Sequence, residues 1–73
     1  MLLDSLAPGA IVRIRSVSAE ASIALRLREM GLRPGTLIRL AGRAASGARV
    51  VAVGAARIAV DRETSGLIEV EPA

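Results

Sequence analysis

Apolar and polar residues alternate over residues 10–17. Val12 and Ile14 fall on one side of the alternation, and Arg13 and Arg15 fall on the other. A period of two residues is typical of a strand that packs on a core with one face and meets water with the other. We therefore predict a first strand here, with both arginines pointing outward.

Further short segments have strand character, and they cover residues 36–41, 49–53, 56–60 and 67–71. The third and fourth strands are separated only by Gly54 and Ala55, a connection that predicts a tight hairpin. The last strand is predicted to bury Ile68 and Val70 while its glutamates face outward.

The spacing changes to a helical period between the first and second strands. Ile23, Leu27 and Met30 stand at i, i+4 and i+7, so they share one face of a helix. We predict a single helix over residues 19–30, capped by Ser18, with these three side chains in the core. The pattern as a whole predicts a mainly β protein, a small barrel of about five strands that is closed or nearly closed.

The segment after the helix combines a helix cap with a turn. Gly31 is predicted to adopt a left-handed conformation that ends the helix and lets Leu32 fold back on its last turn. Pro34 and Gly35 stand in the order that a type II turn requires over residues 33–36. These residues have backbone roles, and no phosphate-binding loop is indicated because the Gly-Lys-Ser/Thr signature is absent.

The composition limits the chemistry of the chain. Its 73 residues fit one domain, over residues 1–73, and they include no His, Cys, Lys, Asn, Gln, Phe, Tyr or Trp. Most enzymes use His, Cys, Lys or Tyr for proton transfer or nucleophilic attack. Zinc and ferrous sites in proteins favour Cys or His ligands. We therefore expect a protein that is not an enzyme and that has no cofactor and no metal site.

The charge suits an acidic partner. All 10 basic residues are arginine, against 7 acidic residues, and the net charge is +3. The candidate partner-binding residues are Arg13, Arg15 and Arg39 on the outer strand faces, together with the loop residues Ala44, Ala45, Ser46 and Gly47. The alternative for the arginines is an ordinary solvated face. Arg26, Arg28 and Arg33 form a second basic cluster at the helix end, where the helix dipole favours cations. We interpret the acidic residues near the C-terminus as solvated: Asp61, Glu63, Glu69 and Glu71.

No part of the sequence resembles a membrane span or a signal peptide. The longest stretch without a charged residue covers residues 5–12, whereas a spanning helix needs about 20 apolar residues. We expect a cytoplasmic protein without direct membrane insertion. Because a small core without aromatic rings leaves apolar surface uncovered, self-association is a further expectation.

Residues 25–36, Leu-Arg-Leu-Arg-Glu-Met-Gly-Leu-Arg-Pro-Gly-Thr, resemble the FeoA family, in which a helix, a glycine cap, a Pro-Gly turn and a strand follow in this order. The motif residues are Leu27, Met30, Gly31, Leu32, Pro34 and Gly35. Residues 57–60 and 66–70 are similar to the last two strands of that family. The chain departs from the family in the loop of residues 44–48, which lacks proline, and at Asp61, where the family tends to place a basic residue.

The resemblance implies an SH3-like barrel and a role as a small accessory protein of ferrous iron uptake. Its implied partner is a FeoB-like membrane transporter with a cytoplasmic GTPase domain. Although the system handles a transition metal ion, we expect the chain to serve transport without holding iron, because ferrous sites favour imidazole.

Two alternatives remain open. The same barrel forms the C-terminal domain of DtxR-type metal-dependent repressors, so a related regulatory domain is one; we expect no whole repressor, because little of the chain precedes Leu3. A basic nucleic-acid-binding barrel is the other. The lack of aromatic stacking residues makes nucleic acid the less favoured partner.

Overall fold

The protein is described by a computed structural model that covers residues 1–73. A short 3₁₀ turn, Leu3–Ser5, precedes the first strand. The helices and strands follow in the order β1 Ile11–Val17, α1 Ala21–Glu29, β2 Leu37–Arg43, β3 Arg49–Val53, β4 Ala56–Val60, α2 Arg62–Ser65 and β5 Ile68–Pro72. The strands and the main helix thus occur in the predicted order.

All strands belong to one antiparallel sheet in the order β4-β3-β2-β1-β5. The edge strands β4 and β5 do not pair with each other, so the curled sheet stays open along this line. The outer edge of β5 is covered by the N-terminal segment, because the Val70 amide donates to the Met1 carbonyl oxygen at 2.7 Å. No strand covers the outer edge of β4.

The core lies inside the curl of the sheet and is entirely aliphatic. Its 12 buried hydrophobic residues come from every strand, from α1 and from the segments that flank the sheet: Leu3, Leu6, Val12, Ile14, Leu27, Leu32, Ile38, Leu40, Val51, Val60, Ile68 and Val70. The inward positions predicted for the first and last strands are confirmed. Burial of each large aliphatic side chain contributes about 1.5–3 kcal/mol, so this cluster is the main source of stability.

Three details of the predicted helix are wrong: its first residue, its cap and the burial of Met30. The helix begins at Ala21, and Glu20 stands at its N-cap position without a capping side-chain bond. Ser18 does not cap the helix, because it lies two residues before the N-cap position; its backbone amide donates to the Leu67 carbonyl oxygen at 2.8 Å. Met30 is not a core residue, because 41% of it is exposed.

The predicted end of the helix and the turn that follows are confirmed. Gly31 has a φ of +97°, and the Leu32 amide donates to the Leu27 carbonyl oxygen at 2.9 Å, which is the long bond of a Schellman motif. Leu32 is thereby folded back and buried. The type II turn forms with Gly35 at a φ of +91° and the Thr36 amide donating to the Arg33 carbonyl oxygen.

Candidate interaction surfaces

Four outward-facing residues form a compact patch on β1 and β2. Ile11 lies opposite Arg39, and Arg13 lies opposite Leu37. Both are non-hydrogen-bonded pairs of the antiparallel ladder. The backbone hydrogen bonds lie on either side of them, where the Leu40 amide donates to the Ala10 carbonyl oxygen and the Ile14 amide donates to the Thr36 carbonyl oxygen. The side chains of such pairs approach to about 4.5–5.5 Å between Cβ atoms. We call Ile11, Arg13, Leu37 and Arg39 the sheet patch.

The sheet patch exposes apolar surface beside positive charge. Ile11 is 54% exposed and Leu37 is 48% exposed, although both stand in strands that bury their other face. Arg13 is held in place because its guanidinium donates to the Gly35 carbonyl oxygen at 2.9 Å. A single exposed aliphatic residue is ordinary, but a pair framed by arginines is typical of a protein contact.

Of the three predicted arginines, the structure brings two together. Arg13 and Arg39 are diagonal neighbours in the sheet patch. Arg15 stands apart at an irregularity in β1, where its guanidinium lies 3.6 Å from the Glu69 carboxylate. Because this exposed pair offsets the charge of Arg15, that residue adds little to an acidic contact.

The predicted loop contact lies at another end of the sheet. The Gly47 amide donates to the Ala44 carbonyl oxygen at 3.0 Å, and Gly47 has a φ of +91°, which gives an ordered hairpin loop. The side chain of Arg62 packs against Gly47 and connects the loop to α2. Ala44, Ala45 and Ser46 are exposed. Since Arg39 and Ala44 are five residues apart on an extended chain, roughly 15 Å separates this loop from the sheet patch.

The acidic residues do not assemble into a metal site. No group of three or more His, Cys, Asp or Glu side chains is placed to hold a metal ion. The Asp61 carboxylate accepts a hydrogen bond from the Thr64 backbone amide at 2.7 Å and so caps α2. This bond to the Thr64 backbone lowers the pKa of Asp61 from its ordinary value.

None of the helices has the length and apolar character needed to cross a bilayer.

A groove of about 250 Å³ opens between α1 and β4. Its walls are formed by Ile23, Arg26, Leu27 and Met30 on the helix side and by Ala59, Val60, Asp61 and Thr64 on the other. The predicted helix stripe of Ile23, Leu27 and Met30 therefore has two roles. Leu27 completes the core, while Ile23 and Met30 leave part of their apolar surface in the groove. We call this cleft the helix groove.

The sequence did not identify the exposed aliphatic pair of the sheet patch, Ile11 and Leu37, or the helix groove as candidate interaction surfaces. The signal for the pair was present, since Ile11 and Leu37 are apolar where the alternation calls for polar residues. The helix groove had no such signal, because a half-buried helix face has the same spacing as a fully buried one.

The family model and the solved structures that match this chain point to the same family. The family model for the FeoA domain matches residues 1–72. The iron(II) transport protein A of Clostridium thermocellum is 31% identical with a TM-score of 0.90, over 100% of this chain and 46% of that one. The chain thus spans less than half of that relative's length.

A second FeoA protein of known structure has the same fold. A FeoA protein of Stenotrophomonas maltophilia, solved with zinc, is 29% identical over 97% of this chain and 89% of that one, with a TM-score of 0.81. It is described as a prokaryotic SH3 domain protein and as a proposed activating factor of ferrous iron transport, so the predicted SH3-like fold is confirmed.

The T. acidophilum protein IdeR has the same fold, with a TM-score of 0.86 at 24% identity, over 100% of this chain and 34% of that one. A search of curated proteins finds no match.

Proposed function

This chain belongs to the FeoA domain family of ferrous iron transport, and from that premise we propose that it is a non-enzymatic accessory protein that binds the cytoplasmic part of a FeoB-type transporter. The match of the family model over residues 1–72 is the observation that carries the proposal. The absence of His, Cys, Lys and Tyr supports a role that depends on contact rather than on proton transfer or covalent chemistry.

The sheet patch is the surface that we assign to this contact. Arginine is among the residues that contribute most affinity in protein interfaces, and the buried centre of an interface is more apolar than the rest of the surface; both features occur here at adjacent positions. The Arg13 guanidinium is fixed by the Gly35 carbonyl oxygen, so less side-chain entropy is lost when a partner carboxylate binds it. We expect a partner surface with one or more carboxylates beside an apolar area.

An accessory protein changes the behaviour of a transporter only if it binds two of its states with different affinity. We propose that the two states are nucleotide states of the transporter's GTPase domain. Binding should therefore differ among the GTP-bound, GDP-bound and nucleotide-free forms.

The test is co-purification of the chain with the full transporter and with its isolated GTPase domain, in each nucleotide state. Leu37→Asp removes an apolar contact from the sheet patch and should reduce recovery at least 10-fold. Leu25→Asp is the matched control, because Leu25 is 52% exposed on α1, outside both named surfaces, and Leu37 is 48% exposed. Circular dichroism of both variants verifies that the fold is retained.

The outcomes separate the proposal from its alternatives. Equal recovery of Leu37→Asp and Leu25→Asp contradicts the assignment of the sheet patch, and no association in any nucleotide state contradicts the proposal itself. An electrophoretic shift assay with duplex DNA at low salt is the parallel arm. Tight binding there that falls steeply with salt supports the nucleic-acid alternative instead.

A further inference from the structure

The outer edge of β4 presents unpaired backbone groups. Val53 and Ala56 flank the two-residue hairpin turn, so they exchange backbone hydrogen bonds, and bonded and non-bonded pairs alternate from there. Ile58 and Val60 therefore bond to β3, whereas Arg57 and Ala59 direct their N–H and C=O groups away from it. No strand pairs with that side of β4, and Arg57 and Ala59 are exposed. Such an edge is a template for an added strand.

The helix groove runs beside this edge. It is lined on one side by α1 from Ile23 onward together with the C-cap residue Met30, and on the β4 side by Ala59 and Val60. The seven residue-to-residue steps from Ile23 to Met30 rise about 10 Å, which matches about three residues of extended chain. A strand added to β4 would thus place two alternate side chains toward the groove. Its other side chains would lie on the outer face of the sheet, in line with Arg57.

The charges at this edge favour an acidic strand. Arg57 on the outer face and Arg26 in the groove wall have no carboxylate within ion-pair distance, because the only ion pair in the structure joins Arg15 and Glu69. The one acid in the groove wall, Asp61, has its carboxylate engaged by the Thr64 amide.

The opposite edge of the sheet shows the kind of strand that fits. There β5 buries Ile68 and Val70 against the core and turns Glu69 and Glu71 outward. Its neighbour β1 carries outward arginines, with Arg13 directly across from Glu71. Within this protein, a basic strand is thus paired with a strand of alternating apolar and acidic residues. The free edge of β4 has the basic residue and the apolar groove but lacks such a strand.

A second copy of the chain fits the edge poorly. If β4 of another molecule docked there, its inward side chains would be Ile58 and Val60. Val60 is only 3% exposed, and Ile58 packs against the core of its own molecule. Neither is therefore free to fill the helix groove.

We propose that the free edge of β4 binds an extended segment of another protein in which acidic and apolar residues alternate. The segment adds a sixth strand to the sheet. Its backbone bonds to Arg57 and Ala59, its apolar side chains enter the helix groove, and its acidic side chains lie beside Arg57. The inference goes beyond the proposed function, because it holds whichever protein supplies the segment.

The probe is a fluorescein-labelled synthetic peptide, acetyl-Ser-Glu-Val-Glu-Leu-Glu-Val-Glu-Ser-amide, titrated with the full chain and followed by fluorescence anisotropy. We expect saturable binding that weakens at least 10-fold when the glutamates are replaced by lysine. The same peptide with an N-methyl group on every amide from the first Glu to the last Glu should not bind, because neither of its edges can donate backbone hydrogen bonds to β4. Equal binding of all three peptides overturns the proposal, as does no binding of the first.

Two variants of the protein test the two halves of the contact. Arg57→Glu should weaken binding at least 10-fold, whereas Arg33→Glu, an equal charge change on the exposed turn before β2, should change it less than 2-fold. Ala59→Pro removes an outward N–H without removing a bond to β3, so it should also weaken binding at least 10-fold. Heteronuclear NMR spectra of each variant check the fold.

Hydrogen exchange supplies a readout that does not depend on the variants. Binding of the peptide should slow amide exchange at Arg57 and Ala59 at least 10-fold. Binding with unchanged exchange there contradicts strand addition, as does a concentration-dependent dimer that protects the same amides without peptide. Because the transporter is absent from these measurements, the inference and the proposed function can fail separately.

Discussion

Replacement of Gly31 by alanine tests how the helix is connected to the sheet. Gly31 adopts a φ of +97°, and this allows the Leu32 amide to bond to the Leu27 carbonyl oxygen. A Cβ added at Gly31 would lie 3.6 Å from Val53 Cγ1, an ordinary contact distance. Steric overlap therefore contributes nothing to the cost, and the backbone strain alone determines it.

The strain of placing alanine in the left-handed region costs about 1–2 kcal/mol. For a domain of this size, each kcal/mol lowers the melting temperature by about 4–8 °C. We therefore expect Gly31→Ala to melt about 4–16 °C below the unmodified protein. The chain contains no Trp or Tyr, so unfolding is followed by far-ultraviolet circular dichroism rather than by intrinsic fluorescence.

Two controls isolate the cause. Gly42 has no positive φ and no atom within 4 Å of an added Cβ, so Gly42→Ala should change stability by less than about 0.5 kcal/mol. Asparagine tolerates the left-handed region better than alanine, so Gly31→Asn should lose less than Gly31→Ala. If Gly31→Ala and Gly42→Ala melt together, the argument from the Schellman motif is refuted.

Other substitutions probe the core and α2. Leu40 is fully buried, so Leu40→Ala should lower the free energy of unfolding in urea by about 2–5 kcal/mol, and a loss below about 1 kcal/mol would contradict its place in the core. The Ser65 hydroxyl donates to the Asp61 carbonyl oxygen at 2.8 Å inside the protein, so Ser65→Ala should cost about 1–2 kcal/mol in the same assay, while exposed Ser46→Ala should cost almost nothing. Because the pKa of Asp61 is lowered in the folded protein, its ionised form adds stability above the unfolded pKa of about 3.9, and that stability is lost as the pH falls through the lower folded pKa. Asp61→Asn keeps a capping oxygen without the charge, so its melting temperature should fall less steeply between about pH 5 and pH 2, and parallel curves would show that the cap does not titrate.

The succession of strands and helix along the chain could be predicted because each strand carries its own local signal. The alternation of Val12 and Ile14 with arginines, and the Gly54-Ala55 connection, depend only on neighbouring residues. The same holds for the cap at Gly31, because a positive φ strongly favours one residue type, glycine, which is visible in the sequence.

The parts that failed depend on contacts between distant segments. Ser18 has the chemistry of a helix cap, but the helix begins only at Ala21, and the Ser18 backbone pairs instead with Leu67, which is far away in sequence. Met30 follows the helical period, but it lies at the C-cap position, after the last residue of α1, and is exposed. Local patterns cannot show which face position reaches the core.

The candidate surfaces show the same division. The outward direction of Arg13 and Arg39 follows from alternation, whereas their adjacency to Ile11 and Leu37 follows from the register of β1 against β2. The open edge of β4 depends on the order of strands in the sheet. Neither register nor strand order leaves a signal in a single segment.

Isothermal titration of the unmodified chain into the purified transporter tests most directly whether this protein acts by contact. We predict a saturable heat with one binding stoichiometry and an affinity that depends on the bound nucleotide. The account is contradicted if no heat of binding appears in any nucleotide state, or if the isolated chain instead retains one tightly bound ferrous ion per molecule.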